Sequence, residues 1–326
     1  MLKLANGLIA VVAGVAGAMA LFWALNALAE RLPGKWEDRV KPYVFVGPAL
    51  AMLALFLIFP ALLTVRDSFY NSTSTAFVGL RNYTAILGQP AILSVFANNL
   101  IWIVVVPTFS VIAGLAVAVL ADRLKPRWEN AAKSVIFLPM AISFVGAATI
   151  WNFVYALRPA GRPQIGLLNA VWTMFGANPV GWLQTSTLRL NTLLLTVVMI
   201  WMQAGFAMVL LSAAIKSVPE ETLEAARIDG ATERQTFFRV VVPQIRSTIF
   251  VVFTTITILV MKIFDIVYAL TGGRFNTDVV ANRFYFERFR FFEYGRAAVL
   301  VVILTIAIIP IMVANIRRFR QEEALR

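Results

Sequence analysis

Two charged residues stand inside a stretch of the sequence that is otherwise apolar. Lys262 lies near the middle of the run from 247 to 270, and Asp265 follows three positions later. A charge at the centre of a membrane helix costs at least about 2.5 to 3.5 kcal/mol unless it is paired or hydrated. Three hypotheses remain open: an ion pair within the helix, a polar wall of a solute cavity, and a lysine that reaches the membrane interface.

Amide and aromatic side chains share helix faces in the neighbouring apolar runs. Gln203 and Phe206 lie on one face of the run from 191 to 215. Amides and carboxylates hydrogen-bond hydroxyl groups, and an aromatic ring covers C–H surfaces. A single glutamine in a membrane helix can equally join two helices. The candidates for contact with a polar solute are Gln203, Phe206, Lys262, Asp265, Tyr268 and, more weakly, Asn152 and Tyr155.

Several kinds of chemistry are excluded by residue types that the sequence lacks. It contains no cysteine and no histidine, so thiolate nucleophiles, imidazole bases and the commonest zinc, haem and iron-sulfur ligands are absent. The only Gly-Lys pair, Gly34-Lys35, is followed by Trp36 and is not preceded by a phosphate-binding loop. We therefore expect no metal, no cofactor and no enzymatic activity in this chain.

The composition is that of an integral membrane protein. Hydrophobic residues make up 60% of 326 positions, charged residues 14%, and the mean hydropathy is +0.79. The net charge of +12 comes from basic residues beside apolar runs, where anionic lipid explains them. The sequence predicts an all-α membrane protein with about seven transmembrane helices, at 5–29, 43–65, 98–121, 133–157, 191–215, 247–270 and 297–316.

The distribution of Lys and Arg between alternate connecting segments predicts the orientation. One set, 30–42, 122–133, 216–246 and 317–326, holds 17 of these residues, and the other set holds 11. The richer set is expected on the cytoplasmic side, with the N-terminus outside and the C-terminus inside. A cleaved signal peptide that ends at Ala27-Leu28-Ala29 is the alternative, but the basic residues lie on the wrong flank of the run.

Residues 217–243, here called the polar segment, separate two of the apolar runs. Ser217 with Glu220, and Thr232 with Gln235, have the spacing of capping boxes that begin helices. Gly230 can end the first helix in a left-handed conformation. We predict two short helices hinged at Asp229-Gly230, the second closed by Pro243.

The first of these helices has a small-residue face that includes Ala225 and Ala226, with charges around it. Small residues permit close approach by a partner, and charges at the rim fix its register. A helical hairpin that lies on the membrane surface and a docking element for a cytoplasmic partner are both compatible with this pattern.

Several motifs occur in the order found in one family. Glu224-Ala225-Ala226 is followed after three residues by Gly230 and after nine more by VVVP at 240–243. FVGLRNYTAIL at 77–87, Trp151 with GLLN at 166–169, and FDIVYALTGG at 264–273 complete the set. The chain resembles permease subunits of binding-protein-dependent ABC sugar importers, which carry an EAA loop. The chain differs from the family's pattern after Gly273, where Arg274 and Phe275 stand in place of the usual third glycine and proline.

This resemblance implies a six-helix permease core at 43–316, an added helix and linker at 1–42, and a basic cytoplasmic tail at 317–326. The polar segment would be the coupling loop that contacts the ATPase. The residues implied in that contact are Glu224, Ala225, Ala226, Asp229, Gly230, Ala231, Phe237 and Pro243.

The implied partners are a second homologous permease, two ATP-binding subunits that hold ATP and Mg, an extracytoplasmic solute-binding protein, a sugar and membrane lipid. The implied location is a bacterial or archaeal cytoplasmic (inner) membrane. TDVVANRFYFERF, which follows Asn276, is similar to alpha-glucoside-type permeases and favours di- or oligosaccharides. The alternative function is an ion-coupled secondary transporter or channel that uses Lys262 and Asp265.

Overall fold

The chain folds almost entirely into helices. The computed structural model describes residues 2–31, 34–159 and 161–323, so the predicted linker at 30–42 and tail at 317–326 lie partly outside the described residues. Within these ranges there is no β-strand, only an isolated bridge between Tyr70 and Phe77. The predicted all-α class is confirmed.

Residues 1–66 form one compact unit. It contains α1 (Leu2–Ala29), α2 (Lys35–Leu53), a π-helical turn (Ala54–Ile58) and most of α3 (Phe59–Asp67). The rings of Phe22 and Phe45 stack 6.3 Å apart between α1 and α2. Leucine, valine and phenylalanine side chains are exposed on all sides of these helices, as expected where lipid is the solvent.

Residues 67–326 form the second unit, which carries every candidate residue. Its helices are α4 (Arg81–Leu87), α5 (Pro90–Ala121), α6 (Pro126–Phe137), α7 (Phe144–Val154), α8 (Leu167–Met174), α9 (Leu190–Lys216), α10 (Glu220–Ile228), α11 (Glu233–Thr236), α12 (Val242–Gln244), α13 (Arg246–Met261), α14 (Asp265–Leu270), α15 (Val280–Phe289) and α16 (Tyr294–Glu323). A 3₁₀ turn, Leu138–Ala141, lies between α6 and α7, and a π-helical turn, Phe237–Val241, lies between α11 and α12.

Five helices in the described ranges are long and apolar enough to cross a membrane. Two bent pairs raise the number to seven if each is one span: Pro126–Ala141 with Phe144–Val154, bent by 103°, and Glu233–Gln244 with Arg246–Met261, bent by 68°. Each of the seven predicted apolar runs coincides with helix, but two of them are not continuous.

The predicted single helix at 133–157 is wrong, because it is broken between Ala141 and Phe144. Pro139 lacks the amide hydrogen needed to continue the helix. Ser143 then begins α7 as its cap, accepting a hydrogen bond from the Gly146 amide at 3.1 Å. The apolar run therefore turns sharply instead of crossing straight.

The predicted helix at 247–270 is also interrupted, after Met261. Residues 262–264 are non-helical, and α14 then packs on α7. Ile263, Ile266 and Val267 are buried by this arrangement. Tertiary packing thus overrides a local sequence that contains no proline or glycine at the break.

The loop between α14 and α15 contains Arg274 and Phe275, the two residues that differ from the family's sequence pattern. Phe275 has a φ of 55°, in the left-handed region, as have the preceding glycines. A Cβ on Gly273 would lie 2.5 Å from the Asn282 amide nitrogen, so only glycine fits there. The Asn98 side-chain amide donates to the backbone carbonyls of Asn276 and Asp278, both at 2.8 Å, and so holds the loop against α5. Burial raises the pKa of the Asp278 side-chain carboxyl.

The centre of the second unit is the packing of α5 on α9. A Cβ on Gly114 would lie 2.5 Å from the Ala207 Cβ and 2.7 Å from the Met208 nitrogen. On the other side of α9, a Cβ on Gly205 would lie 2.5 Å from the Ile136 carbonyl oxygen. Glycine therefore lets helices approach closely, a common device between membrane helices.

We expect Gly114→Leu to destabilise the protein by about 1 to 3 kcal/mol, because the added side chain must push α5 away from α9. The measurement is the midpoint of thermal unfolding in detergent. Gly14→Leu is the matched control, since no atom lies within 4 Å of its Cβ position on α1. Equal midpoints for the two variants would contradict the close approach.

Candidate functional site

The first cavity has a volume of about 480 Å³ and lies where the broken 126–154 segment meets α9 and α13. Its polar lining includes Ser143, Gln203, Thr255 and Asp265. Phe206 contributes an aromatic wall, and the remainder of the lining is apolar. Three of the predicted pathway residues, Gln203, Phe206 and Asp265, are therefore brought together.

The Gln203 side chain is 6% exposed. Among the residues that the structure describes, none forms a hydrogen bond with its amide. A buried amide without a protein partner is costly, so this group is suited to a ligand that supplies hydroxyl groups. In this structure the Gln203 amide does not join two helices through a hydrogen bond to another described residue.

Lys262 lies outside the cavity lining and is exposed. Within the described ranges it forms no ion pair with Asp265, so the ion-pair hypothesis is wrong here. The reason is the break after Met261, since three-residue spacing places side chains together only in a continuous helix. Asp265 faces the cavity as the first residue of α14.

Tyr268 is 43% exposed and joins an aromatic cluster instead of the cavity wall. Its ring centroid is 5.1 Å from those of both Phe264 and Tyr285. Asn152 is exposed on α7 and does not line the cavity. The Tyr155 hydroxyl donates to the Leu194 carbonyl at 2.8 Å, which indicates a structural role.

Ser143 and Thr255 were not predicted from the sequence. Ser143 reaches the cavity because the chain breaks just before α7, and Pro139 together with a serine four residues later was the signal that could have revealed it. Thr255 carried no such signal. Its hydroxyl donates to the Val251 carbonyl at 2.7 Å, as threonines in membrane helices often do.

The polar segment forms two helical parts hinged at glycine, as predicted. α10 ends at Ile228, and Gly230 follows with a φ of 76°. The capping box of Thr232 and Gln235 is confirmed. The backbone N–H of Gln235 donates to the Thr232 hydroxyl at 3.3 Å, and the backbone N–H of Thr232 donates to the Gln235 side-chain oxygen at 2.8 Å.

The other predicted capping box is wrong. α10 begins at Glu220 with Pro219 in the N-cap position and no side-chain cap, so Ser217 lies two residues too early to cap it. The Ser217 hydroxyl instead donates to the Ala214 carbonyl of α9 at 2.8 Å. The second helical part also continues one residue past Pro243 and ends at Gln244.

The polar segment presents an exposed surface to solvent. Four of its implied contact residues, Glu224, Ala225, Asp229 and Gly230, are exposed, and Pro243 is exposed further along. Ala231 and Phe237 are half-buried. Ala226 is buried, so it anchors α10 to the rest of the chain. Ile228, at the end of α10, is 86% exposed on the same surface.

The second cavity, of about 470 Å³, lies between the polar segment and the ends of α5 and α9. Asp122 and Ile215 contribute from the helix ends, and Arg227, Arg234 and Phe237 contribute from the polar segment. In the part of the chain that the structure describes, no group of three or more acidic side chains could hold a metal ion.

Comparison with known proteins identifies related sequences. The sequence profile of the family described as binding-protein-dependent transport system inner membrane component matches residues 110–320. The osmoprotective compounds uptake permease protein GgtC of Synechocystis is 51% identical, and the alignment covers 87% of this chain and 100% of that protein. The alpha-glucoside transport system permease protein AglF of Rhizobium meliloti is 43% identical, with 98% of each chain covered.

The fold also matches solved structures. A chain of a bacterial ABC transporter involved in the import of the acidic polysaccharide alginate superposes with a TM-score of 0.74. The match covers 87% of this chain and 98% of that chain at 21% sequence identity, so it bears on the fold alone.

Proposed function

Because this chain belongs to the family of binding-protein-dependent transport system inner membrane components, we propose that it is the transmembrane permease subunit of an ATP-driven importer of di- or oligosaccharides. The family resemblance seen in the EAA motif is thereby confirmed. Family membership does not favour an ion-coupled transporter or channel. The subunit forms half of the translocation pathway, and separate ATPase subunits hydrolyse ATP.

The first cavity is the observation that carries the sugar assignment. It places the unpartnered Gln203 amide, the Asp265 carboxylate and the Phe206 ring around one space of about 480 Å³. This volume suits a small solute. The amide and carboxylate offer hydrogen bonds to hydroxyl groups, while the ring covers the apolar face of a pyranose. The names of relatives 51% and 43% identical, which refer to osmoprotective compounds and alpha-glucosides, support the same class.

The proposed topology has seven spans, with the N-terminus outside and the C-terminus in the cytoplasm. The bent pairs are counted as one span each, with Glu233–Gln244 assigned to the cytoplasmic side of its pair. The larger number of Lys and Arg in the set of connecting segments that includes the polar segment supports its cytoplasmic location. Residues 43–316 form the permease core, 1–42 an added helix with its linker, and 317–326 a basic tail. The location is the cytoplasmic membrane of a bacterium or archaeon.

The proposed partners are a second permease, two ATPase subunits that bind ATP and Mg, and an extracytoplasmic solute-binding protein. An alginate transporter with a similar fold has been solved in complex with an alginate pentasaccharide-bound periplasmic protein. The exposed residues of the polar segment, from Glu224 to Gly230, form the ATPase contact. Closure of the ATPase pair would move α10 and rock the helices that enclose the first cavity.

Reconstitution tests this function. The chain is co-expressed with its second permease and ATPase subunits, placed in proteoliposomes with the solute-binding protein, and supplied with radiolabelled maltose or trehalose. We expect ATP-dependent accumulation that continues when proton and sodium gradients are dissipated. Uptake that needs a gradient and persists without the ATPase would instead establish the ion-coupled alternative.

A further inference from the structure

Four charged side chains meet where α5, α6 and α9 end or begin, and they are here called the four-charge cluster: Asp122, Glu129, Lys133 and Lys216. The Lys133 Nζ lies 2.6 Å from Asp122 Oδ1 and 2.7 Å from Glu129 Oε1. Lys216 pairs with Glu129 and lies 3.7 Å from Asp122. The cluster contains two positive and two negative charges, so it is neutral as a unit.

Lys133 is the centre of the cluster. Its ammonium group donates to Asp122, to Glu129 and to the Ser212 hydroxyl, which uses all three of its hydrogens. Ser212 in turn donates to Asp122 at 3.0 Å. The side chains of Asp122, Glu129 and Lys133 are only 14 to 18% exposed, so solvent and salt screen their attraction weakly. One side chain therefore connects three helices.

Of the helices joined by Lys133, α9 lines the first cavity directly, and α6 leads into the segment 138–145 that lines it. α6 ends at Phe137, four residues after Lys133, and leads through the 3₁₀ turn Leu138–Ala141 to Ser143. α9 carries Gln203 and Phe206 about three turns before Lys216. A displacement of the cluster would therefore act on two parts of the cavity lining, the α9 residues and the segment that follows α6.

The same cluster adjoins the polar segment. Lys216 is the last residue of α9, and the polar segment begins at the next position. Asp122 lines the second cavity opposite Arg227 and Arg234 of the polar segment. The cluster therefore lies between the segment proposed to contact the ATPase and the walls proposed to contact the sugar.

We propose that Lys133 is a positioning residue for coupling: it locks the adjoining ends of α5, α6 and α9 into one body, so that movement of the polar segment changes the first cavity. This inference rests on the proposed function. Without the lock, the ATPase would still close and hydrolyse ATP. However, α6 would be held to α9 only by packing, as at Gly205 and Ile136, and by the more exposed Lys216, and would follow it less closely. The lysine contacts neither sugar nor nucleotide.

The test uses the complete complex in proteoliposomes and measures two rates, ATP hydrolysis and uptake of radiolabelled maltose or trehalose. For Lys133→Met, we expect hydrolysis to continue while the sugar moved per ATP falls about 5-fold or more, the size of a typical coupling between sites. Lys133→Arg should restore part of the ratio. Lys216→Met, which removes the more exposed lysine, should lower it less.

Arg296→Met is the control, because it removes an ion pair to Glu293 that lies far along the sequence from the cluster. An unchanged ratio in Lys133→Met, or the same fall in the control, would overturn the proposal. The proposal would also be overturned if hydrolysis and uptake both fell in proportion to the yield of assembled complex. That result would show that Lys133 only stabilises the complex. If the unmodified complex moves neither sugar, the proposed substrate class fails instead.

Discussion

Replacing Gly230 with proline is expected to abolish uptake and to release the ATPase subunits from the complex. Gly230 has a φ of 76°, which proline cannot adopt because its ring holds φ near −65°. Its amide also donates to the Arg227 carbonyl at 3.0 Å, and proline has no hydrogen to donate. The angle between α10 and α11 must therefore change, and with it the surface from Glu224 to Gly230.

The chain offers a closely matched control at Gly176, which follows α8. Its φ is 78°, its amide donates to the Thr173 carbonyl at 3.0 Å, and no atom lies within 4 Å of either glycine's Cβ position. Gly176→Pro thus imposes the same backbone change on a different loop. We expect this control to retain its ATPase on affinity purification and Gly230→Pro to lose about 90% or more, since 1.4 kcal/mol already gives tenfold weaker binding.

Glu224→Lys tests the same surface without altering the backbone. Glu224 is exposed on α10, so reversing its charge should affect partner binding more than folding. If Gly230→Pro and Glu224→Lys both keep the ATPase and full uptake, the polar segment is not the coupling element. Loss of the ATPase in Gly176→Pro as well would instead indicate a general effect of proline at left-handed glycines.

The sequence was sufficient to predict features that depend on near neighbours. The Thr232 capping box and the hinge at Gly230 each need contacts within three or four residues, and both are present. Apolar runs located the long helices because hydrocarbon thickness fixes the required length. The Ser217 cap was wrong because α10 begins later, with Pro219 in the N-cap position, and Ser217 instead ends α9.

Which residues line the first cavity depends on contacts between distant parts of the chain, and the sequence predicted only some of these residues. Gln203 and Phe206 share a face of a helix that is continuous, and both reach the cavity. The stripe through Lys262, Asp265 and Tyr268 assumed a helix that in fact ends at Met261. Periodicity cannot locate such a break, because it arises where α14 packs on α7 and not from the residues at the break.

The four-charge cluster illustrates the same limit. Glu129 and Lys133 are four residues apart on α6, but the predicted helix began at 133 and left Glu129 in a connecting segment. Asp122 and Ser212 join them only after α5 and α9 pack closely, which Gly114 permits. A residue whose partners lie 11 and 79 positions away cannot be recognised as a junction from periodicity alone.

Substitution of Asp265 is expected to cause the largest loss of sugar affinity. A hydrogen bond to a charged group is worth about 1.5 to 3 kcal/mol, so Asp265→Leu should raise the KM for maltose or trehalose roughly 10- to 150-fold. Gln203→Leu removes a neutral partner worth about 0.5 to 1.5 kcal/mol and should raise it roughly 2- to 10-fold. Since neither side chain is bonded to another described residue, the unfolding midpoint should change little in both variants.

Asn152→Leu tests whether the sugar contacts only those candidate residues that line the first cavity. Asn152 was an equally polar candidate in a neighbouring apolar run, but it is exposed on α7 and lies outside the cavity lining. We expect its KM to match that of the unmodified complex. Uptake in proteoliposomes over a range of sugar concentrations measures all three variants. If Asn152→Leu raises KM as much as Asp265→Leu does, the sugar follows a path other than the first cavity, because only one of these residues reaches that space.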